Sequence, residues 1–89
     1  MGGVLNGKAI NLVQPEYPPA ARAVRASGAV NVQVTVDESG NVVSAQAVSG
    51  HVLLKSMAES AARTSKFSPT ILNGKSVKVS GIIVYNFTP

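Results

Sequence analysis

His51, Asp37, Glu16, Glu38 and Glu59 are the only histidine and the only carboxylates in the chain, so any acid–base chemistry must come from them. Proton transfer in a transition state needs such groups to converge within hydrogen-bond reach of one another or of a substrate. His51 follows Ser49-Gly50 at the start of a helical pattern, where an imidazole caps the helix or lies in solvent. Asp37 and Glu38 are neighbours at a strand-to-turn junction and point apart, and an acid in a turn commonly satisfies the local backbone amides. The acids lack the spacing that would gather three or four ligands around a metal, and the chain has no cysteine to supply a thiolate. Gly2-Gly3 and Asn73-Gly74-Lys75 lack the strand, glycine-rich turn and helix that cradle a phosphate. No catalytic residue, metal site or cofactor is therefore expected, and the chain reads as a binding module rather than an enzyme.

A length of 89 residues allows one domain with a modest core. That core must be built from Val, Ala, Ile and Leu, because Tyr17, Phe67, Tyr85 and Phe87 are the only aromatics. The net charge of +4 comes from Lys8, Arg22, Arg25, Lys55, Arg63, Lys66, Lys75 and Lys78, which form no run and have no aromatics interleaved. Nucleic-acid binding asks for a clustered positive face, so these bases are expected to be solvated surface. No segment approaches the roughly 20 apolar residues of a membrane span, and the N-terminus lacks a signal-peptide pattern, so no membrane contact is expected of these residues. Met1-Gly2-Gly3 running straight into structure-forming residues reads as an expression start at a domain boundary, so the chain is expected to be a fragment of something longer.

The elements that position any binding surface follow from periodicity and turn chemistry. Asn6-Gly7 and Asn73-Gly74 each sit between apolar flanks, the strongest short hairpin signal, because a type I′ turn needs positive φ at both central residues. Residues 1–13 are thus expected to form a short hairpin. Gln14-Pro15-Glu16-Tyr17-Pro18-Pro19 is an extended bridge, since each proline removes a donor and holds its predecessor extended. Pro19 suits the first turn of a helix running through Ala20–Ala26, with Ala21 and Val24 inward and Gly28 as its left-handed stop. Val30, Val32, Val34 and Val36 then alternate with polar residues, the signature of a strand covered on one side. Residues 37–41 form a turn, and the returning segment 42–48 breaks strict alternation, which a β-bulge near Val43 and Ser44 repairs. An amphipathic helix over 52–65 buries Leu54, Ala58, Ala61 and Ser65, with Lys55, Glu59 and Arg63 on its outer face. A last strand is expected over 76–88, with Gly81, Ile83, Tyr85 and Phe87 toward the core and Ile82 and Val84 on the other face. The fold class is α+β: two helices packed on one face of a small antiparallel sheet, with residues 20–89 as an α-β-β-α-β core. The last strand pairs beside the first strand of the 29–48 hairpin and lies at an edge. Long, apolar and free of proline before Pro89, it offers main-chain groups to an extended partner, the mode called β-augmentation.

These residues resemble the TonB C-terminal domain family. Gln14-Pro15-Glu16-Tyr17-Pro18 looks like that family's Q-P-x-Y-P segment, and it is followed by the alanine-rich helix, Gly28, the valine-alternating strand and Asp37-x-x-Gly40-x-Val42. Ser49-Gly50, the Ala61-Ala62 helix, Phe67-Ser68-Pro69, Asn73-Gly74-Lys75-x-Val77 and a closing strand ending in Phe87 continue the likeness, which spans about residues 14–88. A tryptophan often precedes the late aromatic-x-Pro in the family, and Ser65-Lys66-Phe67 has none. The resemblance implies a periplasmic domain of an inner-membrane-anchored protein that works with ExbB and ExbD through its missing N-terminal region. It implies gripping of the TonB box of an outer-membrane receptor, for uptake of siderophores or cobalamin. Gln14, Pro15, Tyr17 and Pro18 would contact the receptor, and Gly81, Ile82, Ile83, Val84, Tyr85, Asn86 and Phe87 would pair with the box. A TolA-like envelope-integrity module and a homodimerisation domain joined through edge strands are the alternatives.

Overall fold

The structure, a computed structural model, describes residues 9–88. In chain order its elements are β1 (Ala9–Asn11), α1 (Pro19–Ala23), β2 (Gly28–Val36), β3 (Val42–Ser49), α2 (Val52–Thr64), β4 (Lys66–Phe67), β5 (Thr70–Leu72), β6 (Lys75–Val77) and β7 (Val79–Phe87). The central sheet is antiparallel with the order β3-β2-β7, as expected. The alternating valines make β2 its spine: Val30, Val32, Val34 and Val36 are all buried, at 0 to 1% exposure. Each contributes roughly 1.5–3 kcal/mol on leaving water. Against them pack Ala21 of α1, Leu54, Ala58, Ala61 and Ala62 of α2, and Ile83, Tyr85 and Phe87 of β7. Both helices thus share one face of the sheet, and the fold is two-layer α+β.

The β2–β3 turn is closed by Asp37, whose carboxylate accepts the N–H groups of Ser39 at 2.9 Å and Asn41 at 2.8 Å. The bond from the Asn41 amide is the main reason its carboxyl titrates below the usual carboxylate range. Gly40 sits at φ 89°, and a Cβ there would stand 2.0 Å from the Phe67 carbonyl oxygen. The turn can therefore approach β4 only as glycine, and Phe67 N–H donates to Gly40 at 2.9 Å. The bulge is present: Thr35 faces Ser44 while Val36 faces Val42, which leaves Val43 as the extra residue. A second irregularity leaves out Val48, between the pairs Asn31–Ser49 and Val32–Ala47.

Helix α1 ends earlier than composition suggests. Arg25, at φ 56°, is the left-handed residue that stops the helix, whereas Gly28, at φ 107°, opens β2. The Arg25 N–H donates to Arg22 at 3.1 Å, and that of Ala26 to Ala21 at 2.9 Å, the two bonds of a Schellman cap. The reversal turns Ala26 into the core and leaves Val24, expected inward, 64% exposed. In α2 the imidazole Nδ1 of His51 accepts the Leu53 N–H at 3.1 Å, so this histidine is an N-cap.

Asn73 and Gly74, at φ 53° and 78°, form the expected turn between β5 and β6. The closing strand, expected as one piece over 76–88, is broken at Lys78. Lys75–Val77 pairs with β5, whereas β7 begins at Val79 opposite Val36, the last residue of β2. Before that point β2 has nothing left to pair with. Ala9 and Asn11 face Phe67 and Lys66 in an antiparallel pairing of β1 with β4. The Asn6-Gly7 turn expected upstream lies outside the described residues.

Candidate functional site

The two edges of the central sheet are treated differently. On β3, Glu59 of α2 accepts the Ala47 N–H at 2.7 Å, and Arg63 of α2 donates to the Ala45 carbonyl at 3.3 Å. Side chains expected merely to face solvent thus occupy main-chain groups at the outer edge of β3. An edge strand satisfied in this way is a poor template for another strand. On the far side of β7, no other strand pairs with it among the described residues. Its Gly81, Ile83, Tyr85 and Phe87 are buried on the core face, while Ile82 and Val84 are half-buried on the other face and Asn86 is exposed there. Ile83, Tyr85 and Phe87 tie that face of β7 into the core.

The proline segment is tied to β7 at two places. The Tyr17 ring meets Phe87 edge to face, with centroids 5.7 Å apart and an interplanar angle of 88°. The Tyr17 hydroxyl donates to the Ala26 carbonyl, and the Arg22 guanidinium carbon lies 5.3 Å from the Tyr17 ring centroid, within cation–π range. Farther back, Val13 N–H donates to the Ser65 hydroxyl at 3.0 Å, and that hydroxyl donates to Ala61 at 2.9 Å. Ser65 is 2% exposed and stands 3.5 Å from the Tyr85 hydroxyl. Burial pushes the Tyr85 hydroxyl above its ordinary pKa, against an opposing contribution from Ser65.

Of the residues singled out from sequence, Tyr17 joins the β7 set directly through Phe87, and Pro18 beside it stands at the N-cap position of α1, where its carbonyl accepts the Arg22 N–H. Gln14 is exposed and Pro15 half-buried. Both line a shallow groove of about 360 Å³ against Met57, Ser60, Ala61 and Thr64 of α2. Sequence reasoning missed Ser65 as the link between the two halves. Its one signal is a hydroxyl at the end of an otherwise apolar buried stripe, which demands a partner.

Chemically, the arrangement offers main-chain donors and acceptors, apolar surface and two anchored tyrosines. His51 is used as a cap and Asp37 as a turn acceptor. Among the described residues, no group of three or more His, Cys, Asp or Glu could hold a metal ion. Nor is any described helix long and apolar enough to cross a membrane.

The model of the family described as Gram-negative bacterial TonB protein C-terminal matches residues 13–89. None of the curated proteins matches the chain. Among solved structures, the solution NMR structure of the Pseudomonas aeruginosa TonB C-terminal domain is similar, with a TM-score of 0.75 and 24% identity. The match covers 98% of this chain and 93% of that one, so the fold is shared over nearly its whole length.

Proposed function

This chain belongs to the Gram-negative bacterial TonB protein C-terminal family, and on that premise we propose that it is the periplasmic, receptor-contacting domain of an energy transducer. It grips the TonB box of an outer-membrane receptor as an added strand along Gly81–Phe87. Family membership supports the TonB-type energy-transducing role and an interaction domain in place of an enzyme. The ExbB and ExbD partners and the siderophore or cobalamin cargo are carried over from the family likeness.

The observation that carries strand addition is the asymmetry of the sheet edges. Glu59 and Arg63 occupy the β3 edge, and β7 has no second partner strand among the described residues. Main-chain bonds to an edge make little demand on the partner's sequence, which suits one transducer serving several receptors. A ladder of such bonds pulled along its length also shares the load among them. Gln14, Pro15, Tyr17 and Pro18 are the accompanying contact, held near the Phe87 end of the strand by the Tyr17–Phe87 ring pair.

The test is titration of a heptapeptide carrying a TonB-box-like sequence, with amide exchange followed along β7. Two further peptides carry N-methyl groups at alternate positions, one set on each edge. Blocking the edge that faces β7 is expected to weaken binding by about tenfold or more, equivalent to about 1.4 kcal/mol, while blocking the opposite edge does not. Exchange at residues 81–87 should slow when peptide binds. Equal losses from both methylated sets, or binding with exchange unchanged along β7, would reject strand addition and move the site elsewhere.

A further inference from the structure

Lys8, Arg22, Arg25 and Lys55 balance Glu16, Asp37, Glu38 and Glu59, whereas residues 60–89 hold Arg63, Lys66, Lys75 and Lys78 and no acid, so the whole net charge of +4 falls there. Two of these cations are engaged within the fold: Arg63 at the Ala45 carbonyl and Lys66 at the Asn41 side-chain oxygen. The other two, Lys75 and Lys78, are exposed, and they lie on or beside the β5–β6 hairpin. The same hairpin carries Ile71 at 59% and Leu72 at 61% exposure, next to the Asn73-Gly74 tip. The molecule is long and narrow, 49 × 20 × 18 Å. Only Lys78 separates β6 from β7, so a segment laid along β7 past Val79 arrives at this arm.

We infer that the β5–β6 arm is a second docking surface for the same extended polypeptide, taking an acidic stretch that flanks the strand-forming segment; this rests on strand addition along β7. Lys75 and Lys78 meet the acidic side chains, and Ile71 or Leu72 covers an apolar neighbour. Charge placed at the rim of a contact chiefly speeds encounter and selects among partners, while the main-chain ladder holds what has been selected. The division fits a module that must tell receptors apart although its edge strand reads little sequence. A lipid surface fits less well. Ile71 and Leu72 are consecutive in a strand and point to opposite faces, so the arm has no single apolar side to lay on a bilayer.

The experiment compares the bare heptapeptide with versions extended by a short Asp/Glu-rich stretch at either end, and by Ser/Gly stretches as controls, at low and high salt. One acidic extension is expected to tighten binding by about tenfold at low salt, with most of the gain lost at high salt because exposed charges are screened. The double variant Lys75→Glu/Lys78→Glu should erase that gain and leave the bare peptide within about twofold of wild type, since both positions lie outside the core. An acidic extension that also carries one leucine should bind tighter still, and Ile71→Ser/Leu72→Ser should remove that added gain at both salt concentrations. No gain from either extension, or a gain that survives the lysine double variant, would overturn the arm as a docking surface. Lysine-dependent binding to phosphatidylglycerol vesicles with no acidic-peptide gain would reassign the arm to lipid and overturn it equally. Failure of the bare heptapeptide to bind would instead reject strand addition itself, and the arm's role with it.

Discussion

Replacing Ser65 with alanine removes one oxygen from a site that is 2% exposed, and the structure says where the cost falls. The hydroxyl has three neighbours: the Val13 N–H at 3.0 Å, the Ala61 carbonyl at 2.9 Å and the Tyr85 hydroxyl at 3.5 Å. The Ala61 carbonyl keeps a second donor, the Thr64 hydroxyl at 3.1 Å, so it is not orphaned. The Tyr85 contact lies at the limit of bonding distance and contributes little. The loss therefore concentrates on the partly buried Val13 N–H, and an unsatisfied donor of this kind costs about 1–3 kcal/mol. For a domain of this size each kcal/mol lowers Tm by about 4–8 °C. Thermal melting and urea titration of Ser65→Ala give the magnitude, and amide exchange at Val13 gives the location. Tyr85→Phe is the control, with an expected loss below about 0.5 kcal/mol because it removes only the long contact. Because Val13 leads directly into Gln14 and Pro15, box-peptide affinity should also fall in Ser65→Ala. Unchanged exchange at Val13, or a Tyr85→Phe variant that loses as much stability as Ser65→Ala, would refute this assignment of the cost.

Two further outcomes are expected. Arg25→Gly should stabilise the domain by about 0.5–1 kcal/mol, because a residue held at φ 56° bears a left-handed strain that exceeds the extra entropy glycine loses; a lower Tm would show that the arginine side chain matters more than its backbone. For Tyr85, whose pKa is raised from 10.0 by burial, the neutral hydroxyl binds its proton more tightly folded than unfolded. Its contribution to stability is thus complete below about pH 10 and is lost as pH rises through the higher folded value. Melting temperatures followed into alkali should fall less steeply in Tyr85→Phe than in wild type, and parallel curves would contradict the shift.

Where the determinant is local, the residues alone were sufficient. The period-two valines of β2 specified which face is buried, because successive side chains in a strand must point to opposite sides. Asn73-Gly74 specified a type I′ turn because few residues tolerate positive φ at both positions. The broken alternation after Val42 required a bulge, and Val43 is the residue squeezed out. The place of His51 before a helix narrowed it to a cap or a solvated residue, and the structure makes it a cap; the adjacency of β7 to β2 followed from economical packing.

What escaped the sequence depended on partners far away along the chain. Glycine is the default left-handed stop, yet the α1 cap falls on Arg25, because ending the helix there turns Ala26 into the core and gives its carbonyl to Tyr17. Lys78 breaks the closing strand only because β2 ends at Val36 and Thr70–Leu72 supplies another partner for Lys75–Val77. Glu59 and Arg63 look like solvated helix charges until the β3 edge is brought within 2.7 and 3.3 Å of them. The same holds for the candidate site: its residue types stand in the sequence, but the β7 edge without a second strand among the described residues, the Glu59 and Arg63 contacts on β3 and the Tyr17–Phe87 contact exist only once the layers have packed. Local propensity is set by sterics within a few residues, whereas edges and long-range bonds are set by which surfaces the fold leaves uncovered.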